Sequence, residues 1–453
     1  MPDRKEAAVK HVLVLGAGLV AAPLVRRLLE DTDLSVVVAS RTLAKAQGLV
    51  QGLPRGVARE LDARDADSLA ELIRSTDVCV SLLPHSMHPL VAEVCLHERR
   101  HFVTTSYVSD AMRGMDRSAK EAGLTFLNEV GLDPGIDHMS AMRIIDRVHA
   151  SGGKVTLFHS YCGGLPAPES NTNPWGYKFS WSPRGVVLAG RNSARRIVDG
   201  RTVETPGHRL FREHWLVAVR GFGELEAYPN RDALPYVETY GLNGVEDMMR
   251  ATLRYPGWSF TMQKLADIGF FDIEERNIGG MTYADLTRQL CHIDQGTDLH
   301  DALAESLDVD ESSDTLLRLR WLGLTSAIDV PTESGGMVSP LDALAARMSS
   351  KLVYTASDRD ICLMQHEIEA KHNTGQRSRI VSTLVARGDV DGDTAMARTV
   401  GLPAAVATEM ILRGQIGDRG VLIPVLPTVY EPILGELEAS AGIVFAEVSE
   451  PIA

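Results

Sequence analysis

The sequence predicts an α/β protein: a doubly wound parallel sheet, then a second, mixed α/β domain that contains an all-α insertion. Three observations support this. Between His11 and Val130, short apolar runs alternate with amphipathic stretches, which is typical of a parallel sheet covered by helices. Later segments are β-rich and polar-flanked, as expected for strands of a second sheet. Between roughly residues 261 and 350 the apolar spacing becomes helical.

The first sheet is predicted from apolar runs that are bounded by turns. They are VLVL before a helix through Leu28, LSVVVA before a helix from Thr42, DVCVSLLP before a helix from Met87, and then HFVTTS and LTFLNEV. Open sheets of this kind bind ligands outside the carboxyl ends of their strands. We therefore expect the functional site at that edge.

The second domain is predicted after a helix over 136–150. KVTLFHSYCGG, TLRYPGW and LMQHEIEAKHNTGQRSRIVSTLVA have strand character, whereas MTYADLTRQLCHI, TLLRLRWLGLTSAI and PLDALAARMSSKLV have helical spacing. The stretch Thr394–Arg413 is helix-like but contains Gly401 and Pro403, which predicts a break there and a return to the first domain. The predicted domains are 1–132 with 394–453, 133–260 with 351–393, and a helical domain over 261–350.

Composition limits the partners. The formal net charge is −14, which argues against a general nucleic-acid or acidic-membrane surface. The five cysteines are scattered and form no CxxC, so we expect no disulfide framework or zinc site and a reducing compartment. The opening MPDRKEAAVK lacks the apolar stretch of a signal peptide, and no run approaches the roughly 20 apolar residues of a membrane helix. These features predict a cytoplasmic protein without a membrane partner.

A dinucleotide site is predicted in HVLVLGAGLVAAPLVRRLL. Gly16, Gly18 and Ala21 form a G-x-G-x-x-A pattern between a strand and a helix. In this context Gly16 permits the tight turn, Gly18 leaves room for a pyrophosphate and Ala21 lets the helix pack closely, while the amides around Leu19 and Val20 face the phosphates. The alternative is that these glycines serve packing alone.

The end of the second strand favours NADP over NAD. NAD enzymes place a carboxylate there for the ribose diol, whereas this chain has Ser40, Arg41 and Thr42, which are donors suited to a 2′-phosphate. Arg41 as an ordinary helix-entry residue is the alternative. Asp62 is a candidate for the adenine pocket or, equally, for a helix cap. The run 82–84 (Leu82, Leu83, Pro84) is predicted to form a backbone wall near the nicotinamide.

Four strings resemble the saccharopine reductase family. They are LNEVGLDPGIDH at 127–138, SYCGGLPAPESNTNPWGYKFSWSPRGV at 160–186, YPNRD at 228–232 and TLRYPGW at 252–258. The resemblance covers essentially the whole chain. It implies a variant Rossmann domain, an α/β domain for substrate binding and dimer contact, and a smaller helical domain. It also implies that NADPH reduces the imine of L-2-aminoadipate 6-semialdehyde and L-glutamate to L-saccharopine in lysine metabolism, and that the chain forms a homodimer.

The substrate candidates follow from this resemblance. Saccharopine carries several carboxylates, for which arginine is a suitable donor. The residues in strings that resemble the family's substrate-contact segments, or that follow the fifth strand, are Ser106, Tyr107, Asp133, Arg231, Thr252, Leu253 and Arg254. Lys178 and Arg184 are further candidates. An arginine considered singly is usually a solvated surface charge, which remains the alternative.

Proton transfer in imine chemistry needs an acid and a base, and the candidates are Asp133, Tyr107 and Cys162. Asp133, before Pro134, is also a natural helix N-cap. Tyr107 alternatively buries its ring, and Cys162 alternatively is a packing thiol. His85 and His88 lack a third metal ligand, so they are interpreted as a helix start near the cofactor.

Two other functions remain open at this point. The first is a related imine reductase such as carboxynorspermidine synthase, although a polyamine substrate would favour acidic pocket segments over arginines. The second is a non-catalytic NADPH-binding regulator, which would be expected to lack pocket residues such as Tyr107, Asp133, Arg231 and Arg254; all four are present.

Overall fold

The structure is a computed structural model that describes residues 9–332 and 336–452. The chain forms two compact units, Met1–Gly152 with Gly392–Val444 and Gly153–Asp391 with Phe445–Ala453. The prediction that no signal peptide opens the chain concerns mainly residues 1–8, which lie outside the described residues.

The first unit opens with alternating strands and helices. They are β1 (Lys10–Leu15), α1 (Ala21–Glu30), β2 (Leu34–Ser40), α2 (Leu43–Val50), β3 (Gly56–Glu60), α3 (Ala66–Arg74), β4 (Val78–Ser81), α4 (His88–His97), β5 (His101–Thr104), α5 (Asp110–Gly114), α6 (Asp116–Glu121), β6 (Thr125–Leu127) and α7 (Ile136–Ala150).

The second unit follows with longer strands and a run of helices. They are β7 (Lys154–Pro166), α8 (Pro183–Ala189), β8 (Ala194–Val198), β9 (Arg201–Thr205), β10 (Trp215–Val219), β11 (Gly223–Pro229), α9 (Pro235–Thr239), β12 (Asp247–Arg254), α10 (Trp258–Asp267), β13 (Arg276–Asn277), α11 (Tyr283–Cys291), α12 (Leu299–Leu307), α13 (Asp314–Leu322), β14 (Met337–Val338), α14 (Pro340–Lys351), β15 (Asp360–Lys371) and β16 (Arg377–Arg387).

The chain then returns to the first unit and ends in the second. The last elements are α15 (Ala395–Leu412), β17 (Gly420–Leu422), α16 (Pro427–Ala441) and β18 (Phe445–Ile452).

The first sheet has the predicted doubly wound topology. Its strand order is β17-β6-β5-β4-β1-β2-β3, and all neighbours are parallel. Val12, Leu13 and Val14 of β1 are fully buried, because helices cover both faces of the sheet. The strand order reverses beside β1, which places a ligand crevice between the carboxyl ends of β1 and β4. The predicted α/β fold class is confirmed.

The second unit has the predicted mixed α/β character, and its sheet contains both parallel and antiparallel strand pairs. Its main path is β10-β11-β12-β7-β15-β16-β18, and β8 with β9 attaches beside β12. Strands β12 and β7 are parallel, whereas β15 is antiparallel to both of its neighbours. The helices α10 to α14 share one hydrophobic core with this sheet, in which Trp258, Leu316 and Leu344 pack with Tyr161. The predicted separate helical domain over 261–350 is therefore part of the second unit.

Two predicted domain boundaries need correction. Helix α7 was assigned to the second domain, but it belongs to the first unit, where it packs against α16 and its Asp146 accepts a 2.6 Å hydrogen bond from Tyr430. The final residues were assigned to the first domain, but β18 pairs with β16 from Arg377 to Leu384 in the second sheet. Neither contact leaves a local signal in the sequence.

The predicted break at Gly401 and Pro403 is wrong, because α15 is one continuous helix. It docks against α1 in the first unit, as predicted. A Cβ on Gly401 would lie 2.8 Å from the Val20 carbonyl oxygen, so Gly401 permits this close approach. Among the described residues, α15 alone is long and apolar enough to cross a membrane, which the sequence analysis missed. It is 78% buried inside the protein, as a core helix would be.

Candidate active site

The glycine turn after β1 forms the centre of the predicted cofactor site. Gly16 has a φ of +107°, and its N–H donates a 2.9 Å hydrogen bond to the Ala39 carbonyl. A Cβ on Gly16 would lie 3.1 Å from the Leu82 carbonyl oxygen, whereas a Cβ on Gly18 would meet only open space. Helix α1 follows, and its N-cap Val20 supplies no side-chain hydrogen bond. The turn therefore offers open space beside a helix N-terminus, which fits a pyrophosphate.

The surroundings of this turn are accessible. Leu19 is 66% exposed. Leu82 and Leu83 are half-buried and Pro84 is exposed, and the Leu82 N–H donates a 2.8 Å hydrogen bond to the Leu15 carbonyl. The predicted wall at 82–84 thus lies beside the glycine turn. Its contact with a nicotinamide stays a prediction.

The end of β2 presents the three predicted donors. Ser40 is half-buried, and Arg41 and Thr42 are exposed. Asp62 accepts hydrogen bonds from Arg64, at 2.6 Å for the shortest, and these bonds, with help from the charge of Arg41, lower the pKa of the Asp62 carboxyl to about 2. The alternative role of Asp62 as a helix cap is wrong, because the N-cap of α3 is Asp65, which accepts from Ser68. A role for Asp62 at adenine stays a prediction.

His88 begins α4, as interpreted from the sequence, and it also connects two strand ends. It is 3% exposed; its Nδ1 lies 3.0 Å from Ser81 Oγ and its Nε2 lies 2.8 Å from Ser106 Oγ. Burial, with a smaller contribution from His85, lowers the pKa of His88 to about 4. No group of three His, Cys, Asp or Glu side chains that could hold a metal occurs among residues 9–332 and 336–452.

Tyr107 and Asp133 are brought together in the first unit. The Tyr107 hydroxyl donates a 2.7 Å hydrogen bond to Asp133 Oδ1. The predicted N-cap role of Asp133 is wrong, because α7 begins at Ile136 after Gly135, whose φ is +146° and whose N–H donates to Asp137 Oδ1 at 2.6 Å. The hydrogen bond from Tyr107 to Asp133 instead brings two of the predicted acid–base candidates together.

A buried Glu129–His138 pair supports this loop, and the sequence analysis did not identify it. Glu129 Oε2 lies 2.7 Å from His138 Nε2, and Glu129 Oε1 accepts a 2.9 Å hydrogen bond from the Val108 N–H. Glu129 has a φ of +58°, and the Glu129 N–H donates to the Ser106 carbonyl at 3.1 Å. Through these bonds the pair connects residues 106–108 to helix α7, which contains His138. Both residues lie in the string LNEVGLDPGIDH, where an acid and a histidine were visible.

In the second unit, strand register aligns several predicted residues. Cys162 on β7 lies opposite Thr252 on β12, which lies opposite Tyr228 on β11. A Cβ on Gly163 would lie 2.8 Å from Leu253, so that glycine permits the close approach of β7 and β12. Cys162 is buried and forms no disulfide bond within the part of the chain that the structure describes. Cys162 lies in the second unit, whereas the other two acid–base candidates lie in the first.

Arg254 is the best-defined candidate of the second unit. It is 5% exposed, and its guanidinium carbon lies 4.9 Å from the Tyr177 ring centre, 5.5 Å from that of Trp258 and 6.0 Å from that of Tyr228. Its Nη1 donates to the Leu253 carbonyl at 2.8 Å, and its Nε has no hydrogen-bond partner among the described residues. A buried guanidinium with an unpaired N–H is suited to bind an anion.

The other cationic candidates differ from Arg254. Arg231 is exposed, with a φ of +58° after β11. Lys178 is buried and its Nζ lies 2.7 Å from Asp358. Burial opposes ionisation of Asp358, but hydrogen bonds from Lys178 and Thr355 outweigh it and lower the pKa of Asp358. Arg184 forms an exposed ion pair of 2.6 Å with Asp342, as expected of a surface residue.

Two family comparisons cover nearly all of the chain. Residues 12–127 match the family described as "Saccharopine dehydrogenase NADP binding domain". Residues 131–443 match "Saccharopine dehydrogenase C-terminal domain". The first range contains the glycine turn and the end of β2, and the second contains Asp133, Cys162, Arg231 and Arg254.

Full-length relatives are similar throughout. The chain is 38% identical to "Saccharopine dehydrogenase [NADP(+), L-glutamate-forming]" of Pyricularia oryzae, over 96% of this chain and 98% of that protein. It is 37% identical to the protein of the same name of Saccharomyces cerevisiae, over 97% and 99%. The structure of the apo saccharopine dehydrogenase (L-Glu forming) of S. cerevisiae matches with a TM-score of 0.87 at 36% identity, covering 98% of this chain and 100% of that chain.

Proposed function

This chain belongs to the saccharopine dehydrogenase family, and from that premise we propose that it interconverts L-saccharopine with L-glutamate and L-2-aminoadipate 6-semialdehyde in lysine metabolism. The observation that carries the proposal is identity of 36–38% to fungal proteins of that printed activity over more than nine tenths of this chain. In the oxidative direction, saccharopine, NADP+ and water give glutamate, the semialdehyde, NADPH and a proton.

NADP is the cofactor that the first unit is built to bind. The family match over 12–127 supports it, and so do the open space at Gly18 and the donors Ser40, Arg41 and Thr42. When bound, NADP accepts a hydride from the carbon that becomes the imine carbon, and NADPH returns it in the reverse reaction. The Gly16 turn and the N-terminus of α1 would hold the pyrophosphate.

Arg254 would bind a substrate carboxylate. Its unpaired Nε and the surrounding aromatic rings favour an anionic partner, because a carboxylate satisfies the guanidinium while the rings exclude water. Arg231 is exposed, so it would reach a second carboxylate from the loop after β11. Thr252 and Leu253, which precede Arg254 on β12, are the other substrate candidates of this strand.

Proton transfer would involve Tyr107 and Asp133. Hydrolysis of the imine needs a base that takes a proton from water as the oxygen bonds to the imine carbon, and an acid that protonates the leaving amine. Asp133 accepts a hydrogen bond from Tyr107, so the carboxylate is oriented to take that proton. Ser106 would hydrogen-bond a ligand at the end of β5. Cys162 remains a third candidate.

A cytoplasmic location and a homodimer belong to the same proposal. The five cysteines, all within the described residues, form no disulfide bond, which suits a reducing compartment. The dimer rests on the family resemblance. Light scattering of the purified protein over a concentration series would give a mass near twice 49.3 kDa if the proposal holds, and 49.3 kDa if it fails.

The test is a spectrophotometric assay with saccharopine and either NADP or NAD. Rapid formation of NADPH with release of glutamate supports the proposed function. Tight NADPH binding without any turnover of saccharopine would overturn it, and the carboxynorspermidine-type imine substrates would then be assayed in its place.

Arg41→Asp sharpens the cofactor part of the proposal. The variant removes a donor to the 2′-phosphate and adds a repelling charge, so the preference for NADP over NAD should fall by about 100-fold. Arg201→Asp, an exposed residue of β9 in the second unit, is the matched charge control and should leave that preference unchanged. An unaltered preference in Arg41→Asp would mean that Arg41 does not contact the phosphate.

A further inference from the structure

His88 lies among three hydroxyl groups at the carboxyl ends of β4 and β5. Its Nδ1 lies 3.0 Å from Ser81 Oγ, and its Nε2 lies 2.8 Å from Ser106 Oγ and 3.3 Å from Thr104 Oγ1. The imidazole is 3% exposed and Ser81 is fully buried, but Ser106 is only half-buried. The network therefore connects the interior of the first unit with its accessible edge.

The Ser81 hydroxyl fixes one nitrogen of the ring. Ser81 Oγ has His88 Nδ1 as its one hydrogen-bond partner among the described residues. A fully buried hydroxyl donor needs an acceptor, and only an unprotonated Nδ1 supplies one. The Ser81 hydroxyl therefore donates to Nδ1, and in the neutral ring the proton lies on Nε2.

The hydrogen bond that the Thr104 hydroxyl donates independently indicates the same tautomer of His88. Thr104 Oγ1 donates its hydrogen to the Ser81 carbonyl at 2.9 Å, so it has only lone pairs to present to His88. An unprotonated Nε2 at 3.3 Å would oppose those lone pairs, whereas a protonated Nε2 is attracted to them. The low pKa of His88, about 4, is consistent with a neutral ring.

The consequence concerns Ser106. An Nε2–H that donates to Ser106 Oγ makes that oxygen an acceptor and leaves its own hydrogen uncommitted. Ser106 Oγ has no other side-chain or backbone partner among residues 9–332 and 336–452. The free hydrogen lies at the carboxyl end of β5, where a doubly wound sheet binds its ligands.

We propose that His88 is a positioning residue, which as the neutral Nε2–H tautomer holds Ser106 as a hydrogen-bond donor toward an oxygen atom of the bound ligand. Carboxylate and carboxamide oxygens share the required acceptor chemistry. The former would come from saccharopine and the latter from the nicotinamide, so this step rests on the proposed function. His88 itself does not contact the ligand in this role.

The tautomer is tested first, without any reaction. Protein labelled with nitrogen-15 in histidine, compared with His88→Gln to assign the signal, should show a bare Nδ1 and a protonated Nε2 for His88 at pH 7. A protonated Nδ1 or an imidazolium would overturn the proposal. Because no substrate is present, this outcome is independent of whether saccharopine is turned over.

Three variants and a double variant then test the action through Ser106. Glutamine retains an N–H near the position of Nε2, whereas asparagine reaches only the position of Nδ1. We expect His88→Asn and Ser106→Ala to weaken binding of one ligand about tenfold with kcat little changed, and His88→Gln to stay within about threefold of wild type. The double variant His88→Asn/Ser106→Ala should bind that ligand no more weakly than Ser106→Ala alone.

The KM for saccharopine and the Kd for NADPH distinguish the two possible sources of the ligand oxygen. A raised KM for saccharopine with an unchanged Kd for NADPH assigns the oxygen to a substrate carboxylate, and the reverse assigns it to the cofactor. His97→Asn, at the exposed end of the same helix, is the control and should change neither. Multiplying effects in the double variant, or equal losses in His88→Gln and His88→Asn, would overturn the proposal. A wild-type protein that binds NADPH but turns over no saccharopine would contradict the proposed function and not the tautomer.

Discussion

The His88 network of the first unit and the cationic candidates of the second unit differ in charge. In the first unit the network at the ends of β4 and β5 is uncharged: Ser81 and the neutral His88 are buried, and Ser106 is the donor at the accessible edge. In the second unit Lys178 and Arg254 bury full positive charges. A buried charge is costly unless it is paired, so each must have a reason. Lys178 has its partner in Asp358, whereas Arg254 lies among aromatic rings, donates to the Leu253 carbonyl and has an Nε without a hydrogen-bond partner among the described residues, so Arg254 is suited to bind a ligand.

Breaking the Lys178–Asp358 pair should give the largest effect. Lys178→Met leaves the half-buried Asp358 carboxylate without its cation, and we expect the second unit to lose about 3 to 5 kcal/mol of unfolding free energy. Urea denaturation would measure it. Restoration of most of the loss in Lys178→Met/Asp358→Leu is the expected control, and unchanged stability in the single variant would show that the pair is not needed.

Removing the charge of Arg254 should separate binding from stability. Arg254→Met fills a similar volume but cannot hydrogen-bond a carboxylate, so kcat/KM for saccharopine should fall by about 100-fold, or roughly 3 kcal/mol. Unfolding free energy should stay the same or rise, since an incompletely paired buried charge is removed. Arg184→Ala removes an exposed arginine and serves as the control, with kcat/KM within twofold of wild type. Loss of stability in step with activity would contradict a binding role.

A Cβ in the glycine turn should weaken binding of the cofactor. Gly16→Ala places a methyl group at a φ of +107° and 3.1 Å from the Leu82 carbonyl oxygen. The resulting strain in the backbone of the turn amounts to about 1 to 2 kcal/mol. The Kd for NADPH, followed by fluorescence, should rise about tenfold. Gly435→Ala, where nothing lies within 4 Å of the new Cβ, is the matched control and should bind normally. Equal effects of the two substitutions would remove the special role of the turn.

The neutral His88 should contribute the smallest and most pH-specific effect. Its pKa is about 4 in the folded protein and near 6.5 when unfolded, so between these values the unfolded state binds more protons and stability falls as pH falls. From pH 7 to 5.5 this contribution is about 1 kcal/mol. Urea midpoints of His88→Gln should depend on pH less steeply than those of wild type over that range. The same pH dependence of the midpoint in both proteins would contradict this contribution of His88.

The sequence predicted those parts of the protein that local patterns determine. The strand runs of the first sheet and the Gly16 turn were found because burial on both faces and a tight turn restrict neighbouring residues directly. The choice of Arg254 came from resemblance, and its isolation among aromatic rings came only from the structure. The end of β2 favoured NADP, which the family match over residues 12–127 supports, whereas the roles of the site residues stay predictions.

Long-range contacts account for what was missed. The Glu129–His138 pair, the His88 network and the rings around Arg254 depend on residues that are distant in sequence or on backbone conformations such as the positive φ of Glu129. The continuous α15 overrides the helix-breaking preference of Pro403, because its buried surface outweighs one lost hydrogen bond. Asp133 failed as a helix cap because Gly135 takes that position.

The late position of β17 and β18 in the chain has a consequence for biosynthesis. The first sheet gains its edge strand β17, and the second its strand β18, only after the residues between 153 and 391 have left the ribosome. At about 5 to 20 residues per second, the opening segment of the first unit waits roughly 10 to 50 s for its remaining helices and strand. During that interval the edge of β6 has no neighbour in β17, and an unpaired strand edge of this kind favours aggregation.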